Sequence, residues 1–288
     1  MDLGHRDARV IVTGGGANIG RGIALGFAAE GARVLIADID GPQAEAVAAE
    51  ARRAGAADAR SAAADLTEPD AAAAVAGQAV SVWGGVDVLV NNAGWSQPGF
   101  FADQTDRGLW QRTIEVNLFT AIACTQAVLG PMRTGGGGAV VFISSDSAFG
   151  AIRQGIYGST KAGLISLART VARENGRHGI RSNVVAPGLV LPDEDAPPGP
   201  HSVWAGGRDA IFTQEQADYV LRQQPLRRMT TAADIAHAVV WVSSPLAARQ
   251  VTGQVIAVGG GSAMPLPGPR GSRSGEDPAG HVDGGDLT

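Results

Sequence analysis

A chain of 288 residues with 44% hydrophobic and 18% charged side chains is long enough to bury a large core and too apolar to be disordered as a whole. Its net charge of −5, with no basic patch, excludes the phosphate-binding surface that a nucleic-acid partner needs. No stretch approaches the roughly 20 apolar residues of a membrane span, and the single cysteine, Cys124, excludes an internal disulfide. No signal peptide is visible in the polar run Met1–Arg9. These features fit a reducing cytoplasm.

Short β-branched runs alternate with longer alanine-rich stretches. Strands are predicted at Arg9–Thr13, Arg33–Asp38, Asp87–Asn91, Ala139–Ser144, Arg181–Ala186 and Gln254–Val258, with a weaker one at Ala59–Ala64. Most are apolar throughout, as parallel strands covered on both faces must be. Helices are predicted at Ile19–Glu30, Pro42–Ala54, Glu68–Val82, Asp106–Leu129, Tyr157–Asn175 and Thr231–Ser243. This β-α alternation implies one α/β domain, a doubly wound, Rossmann-like parallel sheet, over residues 1–264. Residues 189–213, rich in proline and glycine, read as a functional loop over the substrate. The tail 265–288 has almost no apolar residues and is expected to be disordered.

The first strand runs straight into Thr13-Gly14-Gly15-Gly16-Ala17-Asn18-Ile19-Gly20, and a helix follows. Such a turn lets backbone approach a pyrophosphate, and the helix start offers free N–H groups and partial positive charge. Asp38 ends the next strand, close to the roughly 20-residue offset expected for an acid that hydrogen-bonds the adenosine ribose. A carboxylate there repels a 2′-phosphate. Neither Ala17 nor Ile39 supplies a phosphate-binding cation, so NAD(H) is expected over NADP(H).

Further motifs follow in order: Asp65-Leu66, Asn91-Asn92-Ala93-Gly94, Asn117, Ser144-Ser145, Tyr157-Gly158-Ser159-Thr160-Lys161 and Pro187-Gly188. With the glycine loop, they make the chain from about Ala8 to Ser262 resemble the classical short-chain dehydrogenase/reductase family. Tyr157 and Lys161, at i and i+4, share a helix face. A free tyrosine titrates near 10, and a neighbouring ammonium should lower that value. The pair would then serve as general base for alcohol oxidation and general acid for ketone reduction.

Other roles are implied by the resemblance alone. Lys161 would also hold the nicotinamide ribose. Asp65 and Leu66 would contact the adenine, and Asn91 to Gly94, hence Asn92, Ala93 and Gly94, would border adenine and ribose. Asn117 would sustain a proton path behind Lys161. Pro187, Gly188, Leu189 and Val190 would hold the carboxamide. The chain departs from the family at Asn18, where glycine is usual and asparagine best tolerates a left-handed backbone. Pro192 stands where a threonine often contacts the cofactor. The orienting serine is either Ser144, by counting back from Tyr157, or Ser145, by strand pleat, and the pleat argument is preferred.

Trp95, Phe100, Phe101, Phe149 and Trp204 suggest an apolar pocket. His178 and His237 have no metal-binding spacing, and no metal is expected. A catalytically silent nucleotide-binding regulator and an NADP(H)-preferring reductase are the competing readings. The first requires loss of Tyr, Lys, Ser or Asn, and the second conflicts with Asp38. The family resemblance and the nearly all-round apolar helix Tyr157–Asn175 point to a homotetramer, with a dimer as the alternative.

Overall fold

The computed structural model describes residues 1–192, 199–200, 202, 204–207 and 213–263. The expectation of disorder for 265–288 concerns residues outside that set, as does much of the 189–213 loop.

Seven strands form one parallel sheet: β1 Arg9–Thr13, β2 Arg33–Asp38, β3 Asp58–Ala63, β4 Val88–Asn91, β5 Gly138–Ile143, β6 Ile180–Pro187 and β7 Val255–Val258. Their order is β3-β2-β1-β4-β5-β6-β7. Val10 is in register with Val34 of β2 on one side and Val88 of β4 on the other. Strand side chains alternate between two cores, which is why both faces had to be apolar. Val10 and Val12 join one core, with α1 (Asn18–Ala29), α2 (Gly41–Arg53) and α8 (Ala232–Ser243). Ile11 joins the other, with α3 (Ala71–Trp83), α5 (Thr120–Thr134) and α6 (Gly155–Asn175). The sheet is doubly wound: the chain runs outward from β1 to β3, then crosses back to β4. The crevice beyond the carboxyl ends of β1 and β4 is where such sheets bind ligands.

Three elements differ from expectation. The helix predicted at Asp106–Leu129 is α4 (Arg107–Ile114), a π-turn over Glu115–Phe119, and α5 running on to Thr134 past Pro131. α3 starts at Ala71 rather than Glu68, because Asp70 takes a left-handed φ of +64°. A helix absent from the sequence reading, α7, spans Gln214–Gln223. The continuous helix 107–134 is long and apolar enough by composition to cross a membrane, with a mean hydropathy of 1.3. It packs instead on α3, α6 and the sheet. Asn117 and Thr125 are buried on it, with their side chains hydrogen-bonded inside the protein, as in the core helix of a folded domain.

Candidate active site

The site begins where β1 and β4 end. Thr13 Oγ1 accepts the N–H groups of Asn92 (3.0 Å) and Ala93 (3.1 Å) and lies 3.3 Å from the Val90 carbonyl as donor. Asn92 Nδ2 donates back to the carbonyls of Thr13 (3.0 Å) and Gly14 (2.8 Å). Asn91 faces away and donates to Thr125 Oγ1, so only Asn92, Ala93 and Gly94 of that motif border the cleft. The glycines are steric necessities. Gly14 has φ +59°, and a methyl on it would lie 2.8 Å from Ala93 Cα; one on Gly20 would strike the Gly14 carbonyl. Asn18 takes φ +42°, the left-handed conformation asparagine tolerates.

A cavity of about 650 Å³ lies above this floor. Ala17, Asn18, Ile19 and Gly20 line it at the start of α1, and no side chain caps that N-terminus. Those free N–H groups suit an anion. Asp38 closes the far end: its carboxylate accepts the N–H groups of Gly16 (2.8 Å) and Asp40 (3.0 Å). Gly16 therefore acts from behind the cavity wall, and it could bear no side chain, since a Cβ would sit 2.9 Å from Asp38 Oδ2. Ile39, Asp65, Leu66, Pro187, Gly188 and Val190 complete the lining. An uncapped helix start, a glycine cradle and a fixed terminal carboxylate together fit a dinucleotide.

At the other end stand Ser145, Tyr157 and Lys161. Ser144 donates to the Lys161 carbonyl at 2.8 Å, whereas the Ser145 hydroxyl accepts the Ser147 N–H at 3.1 Å and lies close enough to the Tyr157 phenol to favour its ionised form. Strand pleat thus brings Ser145 rather than Ser144 to Tyr157. Asn117 sits in the π-turn, outside the lining and 1% exposed. Its side chain donates to the carbonyls of Trp95 (2.7 Å) and Thr113 (2.8 Å) and accepts the Trp95 N–H (3.0 Å). π-turns of this kind are frequent at functional sites. Here the wider turn lets one amide bond both its own helix and the loop after β4.

The electrostatics correct one expectation. Lys161 does not lower the Tyr157 pKa. Its ammonium donates to the Ile143 carbonyl at 2.9 Å and lies 5.5 Å from the ring centroid. Desolvation dominates and pushes the phenol up to about 12; the nearby Ser145 hydroxyl opposes this and the Asp146 charge adds to it. Burial lowers Lys161 to about 8. A raised phenol pKa keeps the proton on Tyr157 at neutral pH, the form required of an acid.

Of the five aromatics singled out from the sequence, Trp95 and Trp204 line the cavity. Phe100 and Phe101 are exposed, and Phe149 lies in a separate shallow groove on α6 with Ile165 and Arg169. Arg112, Asp146 and Gln154 also line the site and carry no sequence signal of their own. Cys124 is buried, its thiol pushed up to about 12 by desolvation and so unreactive. No cluster of metal-ligating side chains occurs among the described residues.

The enoyl-(acyl carrier protein) reductase family model matches residues 15–263. The 7alpha-hydroxysteroid dehydrogenase of Escherichia coli K12 is 35% identical over 257 residues, 89% of this chain and 94% of that protein. The chain belongs to the short-chain dehydrogenase/reductase family. An L-rhamnose 1-dehydrogenase (NAD(P)(+)) of a Sphingomonas species is 37% identical over 256 residues, 88% of this chain and 94% of its own length. A solved structure of 7alpha-hydroxysteroid dehydrogenase complexed with NADH and 7-oxo glycochenodeoxycholic acid superimposes with a TM-score of 0.81. It shares 33% identity, covering 92% of this chain and 98% of that one. These relatives of the present short-chain dehydrogenase/reductase are named as oxidoreductases.

The tyrosine electrostatics can be tested directly, because this dehydrogenase/reductase has two tyrosines. In a Tyr219→Phe variant, the near-ultraviolet phenolate absorbance of the remaining tyrosine should titrate above pH 10. A midpoint below 10 would mean that the Lys161 charge outweighs desolvation.

Proposed function

We propose that this protein is an NAD(H)-dependent oxidoreductase that interconverts a secondary alcohol and its ketone. The observation that carries the reading is one cavity with two specialised ends: Asp38 pinned by two backbone N–H groups at one, Ser145, Tyr157 and Lys161 converging at the other. When bound, the nicotinamide cofactor supplies or accepts the hydride. In the direction of reduction, the Tyr157 phenol hands its proton to the carbonyl oxygen. In oxidation, the phenolate takes the hydroxyl proton. Ser145 orients the substrate oxygen through the same hydroxyl that meets Tyr157. Lys161, held by the Ile143 carbonyl, would hold the nicotinamide ribose, and Asn117 would support the wall behind it.

The glycine loop from Gly14 to Gly20 would hold the pyrophosphate. Asp38 and Ile39 would take the adenosine ribose, Asp65 and Leu66 the adenine, and Pro187, Gly188 and Val190 the carboxamide. We read the reaction at a CH–OH centre because the hydroxysteroid and rhamnose dehydrogenases named above act at one. A silent regulator is disfavoured, since Asn117, Ser145, Tyr157 and Lys161 are all present. The single buried, inert thiol fits a reducing cytoplasm.

We also propose a homotetramer. Phe119 and Phe149 are 56% and 55% exposed in the single chain, and the α6 groove beside Phe149 holds Ile165. A second copy would cover this apolar surface, and a second two-fold contact at the sheet edge formed by β7 would complete the tetramer. Light scattering at micromolar concentration should give about four times the chain mass of 29.3 kDa; a monomer mass would overturn the assignment.

Steady-state kinetics test the chemistry. Wild type should turn over far better with NADH than NADPH, and Asp38→Ala should narrow that gap. Tyr157→Phe should lower kcat by about 10²–10⁴-fold while NADH affinity by fluorescence titration barely changes. A wild-type preference for NADPH contradicts the Asp38 assignment, and near-normal kcat in Tyr157→Phe contradicts the proton role.

A further inference from the structure

The substrate end of the cavity carries a cation that the proposed chemistry does not use. Arg112, on α4, lines the cavity, and its guanidinium carbon lies 4.6 Å from the centroid of the Trp95 ring. Among the described residues, no carboxylate lies within ion-pair distance of it. Asp106, at the start of the same helix, caps the Gly108 N–H. Asp146, which also lines the cavity, accepts the Ser145 hydroxyl at 3.2 Å.

The platform under Arg112 is fixed. Asn117 holds the Trp95 backbone through both its N–H and its carbonyl. The ring is therefore held in register with the wall of the catalytic end, and a guanidinium stacked on it loses little further freedom when it binds. A second stack lies next to the cavity wall in the chain, where Arg153, between the lining residues Ile152 and Gln154, has its guanidinium 5.9 Å from the centroid of the Phe100 ring. The two loops that carry this pair are joined by the Gly99 N–H to the Arg153 carbonyl at 2.9 Å. Beside these cations the surface is apolar: Ile152 lines the cavity yet is 83% exposed, and Phe100 is 59% exposed.

A planar guanidinium with no carboxylate partner among the described residues, stacked on an aromatic face at a cavity wall, is suited to bidentate binding of an anionic oxygen group. We propose that Arg112 is a specificity-determining residue that binds a carboxylate or phosphate ester carried by the substrate at a distance from its reacting carbon. The substrate class is then an amphipathic anion: an apolar body against Trp95 and Ile152, the carbinol or ketone at Tyr157, and the anionic group at Arg112. This inference rests on the alcohol–ketone reading of the same site and narrows it.

The test uses cyclic ketones in matched sets, each as the free carboxylic acid, the neutral methyl ester and a phosphate ester of the corresponding alcohol, with NADH as reductant. Wild type should favour a charged form over the ester by tenfold or more in kcat/KM, mainly through KM. Which charged form gains more identifies the anion. Arg112→Gln should bring the charged-to-neutral ratio close to one, and Arg112→Lys, which keeps the charge but loses the planar fork, should fall between. Added salt should lower the wild-type ratio. NADH affinity measured by fluorescence shows that each variant is folded, and Trp95→Leu, which removes the platform, should lower the ratio as well. Reduction of the neutral esters as fast as the acids, or a ratio unchanged in Arg112→Gln, overturns the proposal while leaving the dehydrogenase reading intact. If NADH is oxidised with none of the three forms, the dehydrogenase reading fails and the proposal falls with it.

Discussion

The site depends on the hydrogen-bonded tie between Thr13 and Asn92 at the tips of β1 and β4. A doubly wound sheet leaves a gap at that point because neighbouring strands send their chains to opposite sides. One hydroxyl and one amide bridge the gap with four bonds at 2.8–3.1 Å, three of them to or from the main chain of the two strand tips and one to Gly14. Each is worth about 1 kcal/mol net, and together they set the height of the glycine turn above the sheet. From that turn follow the position of the α1 N-terminus and of Gly16, whose N–H holds Asp38. The loop leaving β4 carries Trp95 to Asn117. Both ends of the cavity are thus referenced to one junction.

A comparable constraint operates at Asn117. A buried asparagine in a helix would leave polar atoms unsatisfied at a cost of about 1–3 kcal/mol. The π-turn gives its amide three main-chain partners on two elements. Lys161 is treated similarly, its ammonium buried against the Ile143 carbonyl. These two side chains are thus fixed by backbone groups of the core before any ligand arrives, which is the form of preorganisation that makes dipoles effective in a dry site.

How far the sequence reveals this varies by residue. The sheet is legible because Val34, Leu35 and Ile36 are apolar on both faces, and only a covered parallel strand tolerates that. The β3 strand is weaker because its alanines lack β-branching, yet it pairs along all of Asp58–Ala63. Gly14, Asn18 and Asp38 are legible because each answers a local backbone or charge requirement. Ser145 follows from the two-residue period of a strand. The π-turn is not legible, since one extra residue per turn leaves no mark on an apolar pattern as even as Val116–Val128. α7 is hidden beside a loop rich in proline and glycine. The direction of the Tyr157 shift is not legible either, because spacing shows that Lys161 is near but not how much solvent burial removes. Arg112 becomes informative only once Trp95 is seen beneath it.

In the proposed reaction, hydride would move between the cofactor and a carbinol carbon while the proton moves separately through Tyr157. The most direct measurement uses NADH deuterated at the transferring C4 position with a ketone substrate in ordinary water, and the mirror experiment uses unlabelled NADH in deuterium oxide. The account predicts one deuterium on the carbinol carbon of the alcohol in the first case and none on that carbon in the second. Carbon-bound label arriving from the solvent, or NADH oxidation with no label in the product, would contradict it.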